Sequence, residues 1–268
     1  MENSGLIYPT KKIDIKIKHG KKFTGFLVKI TAYFNYMKSV LITLLIGTLF
    51  FPLPPAEVKV AGEMKKIMRE GNLSAHIALD TLLTKPNIYG LGPAEGIKGE
   101  LMIVDSKAYW CKVENEKIST TFSGNVKAAM LVYAQVPAWK LISVNNEIKD
   151  YAALEKAVEQ YASQNGQNLD EPFPFLITGI ASNTTYHIID WKEGVKHTFD
   201  NHKQFAKNGE LRNQQIMLLG FYSNKHHSIF THHTTNMHVH VMDANKSVVG
   251  HLEEFSSAKN TLLLQIPN

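Results

Sequence analysis

The feature that most constrains this chain is a histidine-rich segment near its C-terminal end. Seven of the 12 histidines lie within residues 226–251, including His238 and His240, which are separated by one residue. Alternate side chains of a β-strand point to the same face, so these two imidazoles are expected to project together. Residues 243–246 have a turn-forming composition, with strand-like sequence on both sides. A hairpin would therefore bring His251 onto the same face.

Three imidazoles that converge from two strands are typical of a catalytic zinc site. Such a site keeps a coordination position open for water or substrate. We therefore predict that His238, His240 and His251 bind metal, and the alternative is a histidine-rich surface strand. The neighbouring histidines are expected either to line the pocket or to lie in a loop, and they are His226, His227, His232 and His233.

Charge and cysteine content exclude several functional classes. The formal net charge is +5, but the excess is concentrated early, with eight lysines and a single acidic residue, Asp14, between Lys11 and Lys38. Beyond residue 61 the charges nearly balance, so no basic face for nucleic acid is expected. The only cysteine, Cys111, excludes an intramolecular disulfide framework and a thiolate metal cluster.

Residues 1–61 are predicted to be a basic N-terminal extension with a signal peptide or anchor. Residues 37–56 contain an apolar core at about 40–51 that is closed by prolines. This length fits a signal peptide and is short for a membrane span, so we predict export to the periplasm or the medium. An uncleaved membrane anchor and a cytosolic chain with an unusual leader are the alternatives, and Met37 is an alternative start.

A glycine-rich stretch precedes the first clear strand of the folded part. Four glycines fall within residues 90–99, but their spacing is not that of a dinucleotide fingerprint or a P-loop. A strand-like run follows instead of a helix, so no helix N-terminus is available for phosphate. We reject nucleotide binding and predict turns that lead into a strand beginning at Glu100. A solvated charge is the structural alternative for this glutamate.

The remaining pattern predicts an α+β chain with two β-sheets in two lobes, about residues 62–165 and 166–268. Residues 101–136 read as a strand meander, and one long helix is predicted over residues 146–164 from its apolar stripe. Aromatic residues in that stripe are expected in the core. Further strands are predicted at residues 172–179, 185–191 and 215–222, so the metal site would lie on strands of the C-terminal lobe.

Three segments, taken together, resemble the α-acetolactate decarboxylase family. GLGPAEGIKGELMIVD, at residues 90–105, is similar to its glycine-rich entry followed by Gly-Glu and a strand. PFPFLITG, at residues 172–179, is similar to a short aromatic strand of the family. Residues 220–255 resemble its zinc segment, including the His-X-His motif and the later Gly-His. The resemblance covers roughly residues 63–255, with all three segments in the family's order.

The resemblance implies a two-lobed enzyme, a homodimer, with zinc held by His238, His240 and His251. It implies decarboxylation of α-acetolactate, a keto-hydroxy acid, to acetoin and CO2, with the keto oxygen and tertiary hydroxyl on the zinc. Decarboxylation leaves an enediolate, which a Lewis acid stabilises. Glu100 matches the family's glutamate and would transfer the proton or orient a metal-bound water.

Some positions depart from the family pattern. Pro93 stands where the family has a threonine, and Leu176 stands where it has an arginine for the substrate carboxylate. The family's second glutamate comes from a C-terminal tail, for which too few residues follow His251. We therefore expect that another cation reaches the pocket, with Lys225 and Arg212 as candidates alongside His232 and His233, and the alternative is that the natural substrate is not held by its carboxylate. A related metal lyase for another 2-hydroxy-3-keto acid, or a non-catalytic metal-containing binding module, are the alternative functions.

Overall fold

The computed structural model describes residues 56–268, apart from the side chains of residues 199 and 200. Strands dominate this part of the chain. They are β1 (Val58–Ala61), β2 (Ile77–Ala78), β3 (Ile88–Pro93), β4 (Glu100–Val104), β5 (Lys107–Glu114), β6 (Lys117–Phe122), β7 (Lys127–Ala128), β8 (Leu131–Gln135), β9 (Trp139–Val144), β10 (Phe173–Ile189), β11 (Ala206–Tyr222), β12 (Met237–Asp243), β13 (Val249–Ser256) and β14 (Leu262–Pro267). The α-helices are α1 (Met64–Glu70), α2 (Leu79–Leu82), α3 (Tyr151–Gln164) and α4 (Phe199–His202), and short 3-10 turns follow at Glu95–Ile97 and Lys203–Phe205.

Two six-stranded antiparallel sheets carry the structure. The first has the strand order β1-β8-β3-β4-β5-β6, and the second has the order β11-β12-β13-β10-β14-β9. In the second sheet β10 also pairs with β11 along nearly its whole length, so the sheet closes on itself. The prediction of an α+β chain with two sheets is confirmed.

The predicted meander is confirmed over β4, β5 and β6. Its turns fall at Asp105-Ser106 and Asn115-Glu116, where all four residues have positive φ angles between 49° and 64°. Two consecutive residues with positive φ are typical of the two-residue hairpin turn whose backbone matches the twist of the paired strands. The glycine-rich stretch behaves as predicted only in its second half, because Gly96 and Gly99 lie in turns before β4 begins at Glu100, whereas Gly90 and Gly92 lie within β3.

The predicted helix over residues 146–164 begins later than expected. Ile148 instead forms a bridge with Ser257, with N–H to O distances of 3.0 and 2.8 Å. Asp150 then caps the helix by accepting a 2.7 Å hydrogen bond from the Ala153 amide. The apolar stripe therefore included Ile148, which packs into the core from a β-bridge and not from the helix. Helix α3 contains the 14 residues from Tyr151 to Gln164.

Two predicted strands are one continuous element. Residues 172–179 and 185–191 were separated by a polar stretch, yet β10 runs unbroken for 17 residues. The polar residues between them lie on a strand that pairs with β11 on one side and with β13 on the other. Backbone pairing on both sides sustains the strand through the polar residues Asn183 and Thr184. The predicted strand at residues 215–222 is likewise the second half of the 17-residue β11.

One hydrophobic core joins the two sheets. It includes Leu91 and Met102 from the first sheet and Phe175 and Leu218 from the second, each buried. A smaller cluster around Leu79 covers the opposite face of the first sheet. Burial of this much apolar surface is the main favourable contribution to folding. The inner faces of both sheets therefore meet where β4 approaches β12 and β13.

The sheets do not divide at residue 165. β9 pairs with β14 in the second sheet, with Leu262 opposite Val144, although β9 precedes α3 in the chain.

The predicted apolar core at residues 40–51, and with it the predicted export or anchoring, lies outside the described residues. Within residues 56–268, none of the helices combines the length and the apolar character that a membrane crossing requires.

Gly99 provides a test of the turn that positions β4. Its φ is 95°, and an added Cβ would collide with the Cys111 carbonyl oxygen. We expect Gly99→Ala to lower the free energy of unfolding by about 3 kcal/mol, measured by urea denaturation, because strain and collision add. Gly166 is a matched control, since its φ is 94° but nothing lies within 4 Å of an added Cβ. Equal losses for Gly99→Ala and Gly166→Ala would contradict the close approach.

Candidate metal centre

The β12–β13 hairpin brings the three predicted histidines together. His240 lies directly opposite His251 in the register, and His238 lies two residues away on the same face of β12. One ring nitrogen from each histidine can be chosen so that all three lie within 4.8 Å of one another. Asp243 stabilises the intervening turn by accepting hydrogen bonds from Ser247 Oγ at 2.6 Å and the Val248 amide at 2.8 Å. The sequence folds locally as predicted.

His240 is oriented by a hydrogen bond between the sheets. Its Nδ1 lies 2.9 Å from the carbonyl oxygen of Leu101 in β4, and since a carbonyl only accepts, Nδ1 carries the proton. The Nε2 atom of the neutral ring is therefore unprotonated and carries a lone pair. It is buried without a hydrogen-bond partner among residues 56–268, and the Glu100 Oε2 atom lies 3.5 Å away. An uncompensated buried lone pair of this kind suits a metal ligand.

The surroundings keep all three histidines neutral, which is the form that binds metal. Burial lowers the pKa of His238 to about 3 and holds the pKa values of His240 and His251 well below their usual range. His238 Nε2 and His251 Nδ1 are 3.2 Å apart, close to the separation of about 3.4 Å between nitrogen ligands of a tetrahedral ion. The donor set therefore fits a divalent ion, and these histidines could hold one.

Glu100 lies beside this cluster as the first residue of β4. It is 3% exposed, and burial raises the pKa of its carboxyl group, against the opposing effects of His187 and an Ile189 backbone hydrogen bond. The protonated carboxylic acid is therefore favoured relative to a glutamate in water. A buried acid next to three neutral imidazoles can donate a proton, and it becomes a carboxylate when a cation is near.

A fourth histidine, His187, lies against the cluster of His238, His240 and His251. It is opposite His251 in the β10–β13 register, and the two ring centroids are 4.8 Å apart. Its Nδ1 lies 2.6 Å from Glu253 Oε1. The hydrogen bond from His187 lowers the pKa of Glu253, so Glu253 is a carboxylate and His187 is the donor. Sequence analysis did not identify His187 because it lies in β10, far from the His-rich segment.

The histidines open onto a cavity of about 1000 Å³. Its walls are formed by the two sheets, by α1, and by the segment that connects β11 to β12. Six histidines line it, and they are His187, His202, His232, His233, His238 and His251. The predicted pocket residues His232 and His233 are therefore at the cavity, whereas His226 and His227 do not line it. Pro93 lines the wall, and Leu176 is buried elsewhere in β10.

The wall segment between β11 and β12 is held by hydrogen bonds at two points. The backbone amides of Met64 and Lys65, at the start of α1, donate to the carbonyls of Ile229 and Ser228 at 2.8 and 2.9 Å. On the β12 side, the Asn236 amide donates to Glu155 Oε2 in α3 at 3.1 Å. The first amides of a helix lack hydrogen-bond partners within the helix. The wall segment therefore accepts the hydrogen bonds of these α1 amides, and the same bonds hold the segment in place.

The cations at the cavity are not those expected from sequence. Arg212 and Lys225 do not line it, because they are exposed and pair with Glu210 at 2.7 Å and Asp170 at 3.3 Å.

Instead Arg69, Lys203 and Lys65 line the cavity. Lys65 is paired with Glu63 at 2.8 Å, while no ion pair of Arg69 or Lys203 occurs within the described residues. These cations reach the cavity only through the packing of α1 and α4, which no local sequence pattern predicts.

The comparison with known proteins agrees with this geometry. A family model described as alpha-acetolactate decarboxylase matches residues 61–267. The match covers most of the chain, and the chain therefore belongs to the alpha-acetolactate decarboxylase family. No curated protein matches it.

Solved structures share the fold at low sequence identity. The alpha-acetolactate decarboxylase of Bacillus subtilis strain 168 is 12% identical, with a TM-score of 0.64 over 79% of this chain and 86% of that chain. A Staphylococcus aureus protein of unknown function, described as similar to alpha-acetolactate decarboxylase, is 14% identical, with a TM-score of 0.63 over 79% and 85% of the two chains. At these identities the similarity establishes the fold alone.

The metal site can be tested by elemental analysis. We expect about one equivalent of divalent metal per chain, most of which is lost in His240→Ala because one of three imidazole ligands is removed. His251→Ala, at a half-buried position, gives the same test where His240→Ala does not fold. The exposed His76 is the control, and His76→Ala should keep its metal. Folded His240→Ala and His251→Ala proteins with full metal content would rule out this ligand set.

Proposed function

We propose that the chain is a zinc-dependent decarboxylase that converts α-acetolactate to acetoin and CO2. The observation that carries this proposal is the group of neutral histidines His238, His240 and His251 beside the buried Glu100, within a chain of this family. Imidazole ligands suit zinc, and the buried lone pair on His240 Nε2 supports a bound cation.

The bound ion would act as a Lewis acid for the negative charge that develops on the substrate oxygen when CO2 leaves. The three histidines would hold it from two paired strands, so its position is fixed by the β12–β13 register. Rigid strand positions are favourable for catalysis because the site requires little reorganisation.

Glu100 is proposed as the acid that completes the reaction. Loss of CO2 leaves the bonding electron pair on the substrate carbon, which must then gain a proton. The Glu100 carboxyl group faces the histidine cluster, with its Oε2 atom 3.5 Å from His240 Nε2, and its burial favours the protonated form against the effect of a nearby cation, which lowers its pKa. The carboxylate that remains would regain a proton from solvent through the cavity.

Arg69 and Lys203 are proposed to attract the substrate carboxylate at the cavity wall. They take the role that sequence analysis assigned to Arg212 or Lys225. Both line the cavity, and neither has an ion-pair partner within residues 56–268. Arginine forms paired hydrogen bonds with carboxylates, and lysine contributes a compact charge.

A related lyase for a larger 2-hydroxy-3-keto acid is the second candidate. The cavity volume of about 1000 Å³ is at the upper end of the range for drug-sized ligands and exceeds the needs of acetolactate. A non-catalytic metal-containing binding module is the third. Homodimer formation and export remain predictions from the family resemblance and from residues 37–56.

The proposed activity is tested by measuring acetoin and CO2 from acetolactate with zinc-loaded and chelator-treated protein. We expect turnover only in the loaded sample, and Glu100→Gln should lower kcat about 100-fold or more with zinc retained, because its ionisable proton is removed. The exposed Glu254 is the control, and Glu254→Gln should behave like the parent. Turnover that survives Glu100→Gln would exclude the assigned acid, and no turnover in the parent would exclude acetolactate as substrate.

The role of the wall cations is tested separately. We expect the double variant Arg69→Ala/Lys203→Ala to raise KM for acetolactate about tenfold, the effect of about one lost charge-assisted hydrogen bond. Arg212→Ala and Lys225→Ala are matched controls that remove exposed cations away from the cavity. A KM that responds to the controls as strongly as to the double variant would refute recognition at this wall.

A further inference from the structure

A hydrogen-bonded pair of histidines, His197 and His202, reaches the cavity wall through His202. His197 Nδ1 lies 2.9 Å from the carbonyl oxygen of Ile67 in α1, and its Nε2 lies 2.8 Å from His202 Nδ1. His197 is buried, and its ring packs edge-on against Trp191 at a centroid distance of 4.5 Å. His202 is the last residue of α4 and lines the cavity. Neither residue has a role in the function proposed above.

These contacts assign the protons on both rings. A carbonyl oxygen only accepts, so His197 Nδ1 must carry a proton. Burial lowers the pKa of His197 and lowers that of His202 to about 4, so both rings are neutral at pH 7. His197 Nε2 is then an acceptor, and His202 Nδ1 must be the donor to it. The remaining nitrogen, His202 Nε2, is therefore left without a proton.

The Nδ1 edge of the His202 ring faces His197, and His202 lines the cavity, so Nε2 is the ring nitrogen available to a ligand there. A histidine in a cavity usually exchanges between its two neutral tautomers, which changes it from acceptor to donor. Here the hydrogen bonds of His197 prevent this exchange. If His202 Nδ1 lost its proton, His197 would have to donate from Nε2, and its Nδ1 could then no longer donate to the Ile67 carbonyl. The arrangement is thus a fixed acceptor and not a proton relay.

We propose that His202 Nε2 is a binding subsite for a ligand hydroxyl group, which donates its hydrogen bond to this nitrogen. A site that accepts from a ligand hydroxyl discriminates strongly against an analogue lacking it, since the polar group is then left unpaired. The neighbouring wall groups fit an acid that also carries a hydroxyl. Lys203 follows His202 directly and lines the same cavity, and the His187 ring centroid is 6.1 Å from that of His202. The choice of a hydroxy acid rests on the proposed function, whereas the tautomer of His202 does not.

The tautomer can be measured on the unmodified, metal-free protein by nitrogen-15 NMR at pH 7. We expect His197 and His202 both to carry the proton on Nδ1, with Nε2 of His202 unprotonated. His197→Met removes the acceptor while keeping an apolar side chain in the core, so His202 should then populate both tautomers. A parent protein with the His202 proton on Nε2 would overturn the proposal without any activity measurement.

Ligand recognition can be measured with two unreactive acids of nearly the same shape. 2-Hydroxy-2-methylpropanoate carries a hydroxyl where 2,2-dimethylpropanoate carries a methyl group, and their affinities for zinc-loaded protein are compared by calorimetry. We expect the preference for the hydroxy acid to fall about fivefold or more in His202→Phe. Any contact between the hydroxyl and the metal is present in both proteins and cancels from this comparison.

The exposed His76 provides the matched control, and His76→Phe should leave the preference unchanged. An unchanged preference in His202→Phe would refute the subsite, as would a loss of bound zinc in that variant, which would make His202 a metal ligand. If the parent protein fails to decarboxylate acetolactate but the hydroxyl preference is still lost in His202→Phe, the proposed reaction is refuted and the subsite is supported.

Discussion

The hydrogen bond from His240 to the Leu101 carbonyl is the contact on which the site depends. It joins the two sheets at their inner faces, and it determines which nitrogen of the histidine is free to bind a cation. Strand β4, which carries the Leu101 carbonyl, also carries the adjacent Glu100, so this one hydrogen bond places the ligand beside the acid. Charged groups could not replace this contact easily, because a buried ion without a partner is costly. A neutral donor and a carbonyl provide the orientation without adding charge.

The sequence predicted those parts of the site that local periodicity determines. Strand alternation indicated that His238 and His240 share a face, and the turn residues indicated where His251 would return. The strand beginning at Glu100 was recognisable because glycines and a turn precede a run of β-branched and apolar residues. These patterns succeed because each depends only on neighbouring residues, whose backbone geometry repeats.

The remaining parts depend on packing between distant segments. The 17-residue strand β10 crosses a polar stretch because it has strand neighbours on both sides, which cannot be inferred from its own residues. Arg69 and His202 come from two short helices that share the cavity wall only in the folded chain. Arg212 and Lys225 were favoured for their nearness in sequence to the site, but nearness along a strand does not determine which face or end of a sheet a side chain occupies.

The seven-residue helix α1 contributes to the cavity in three ways. Its first amides hold the wall segment through Ile229 and Ser228, while Arg69 in its last turn supplies positive charge. The Ile67 carbonyl between them orients His197 and, through it, His202. Wall geometry, charge and hydrogen-bonding polarity therefore all depend on where this one element is placed. A shift of α1 along its axis would displace all three together, whereas a substitution at Arg69 would change the charge alone.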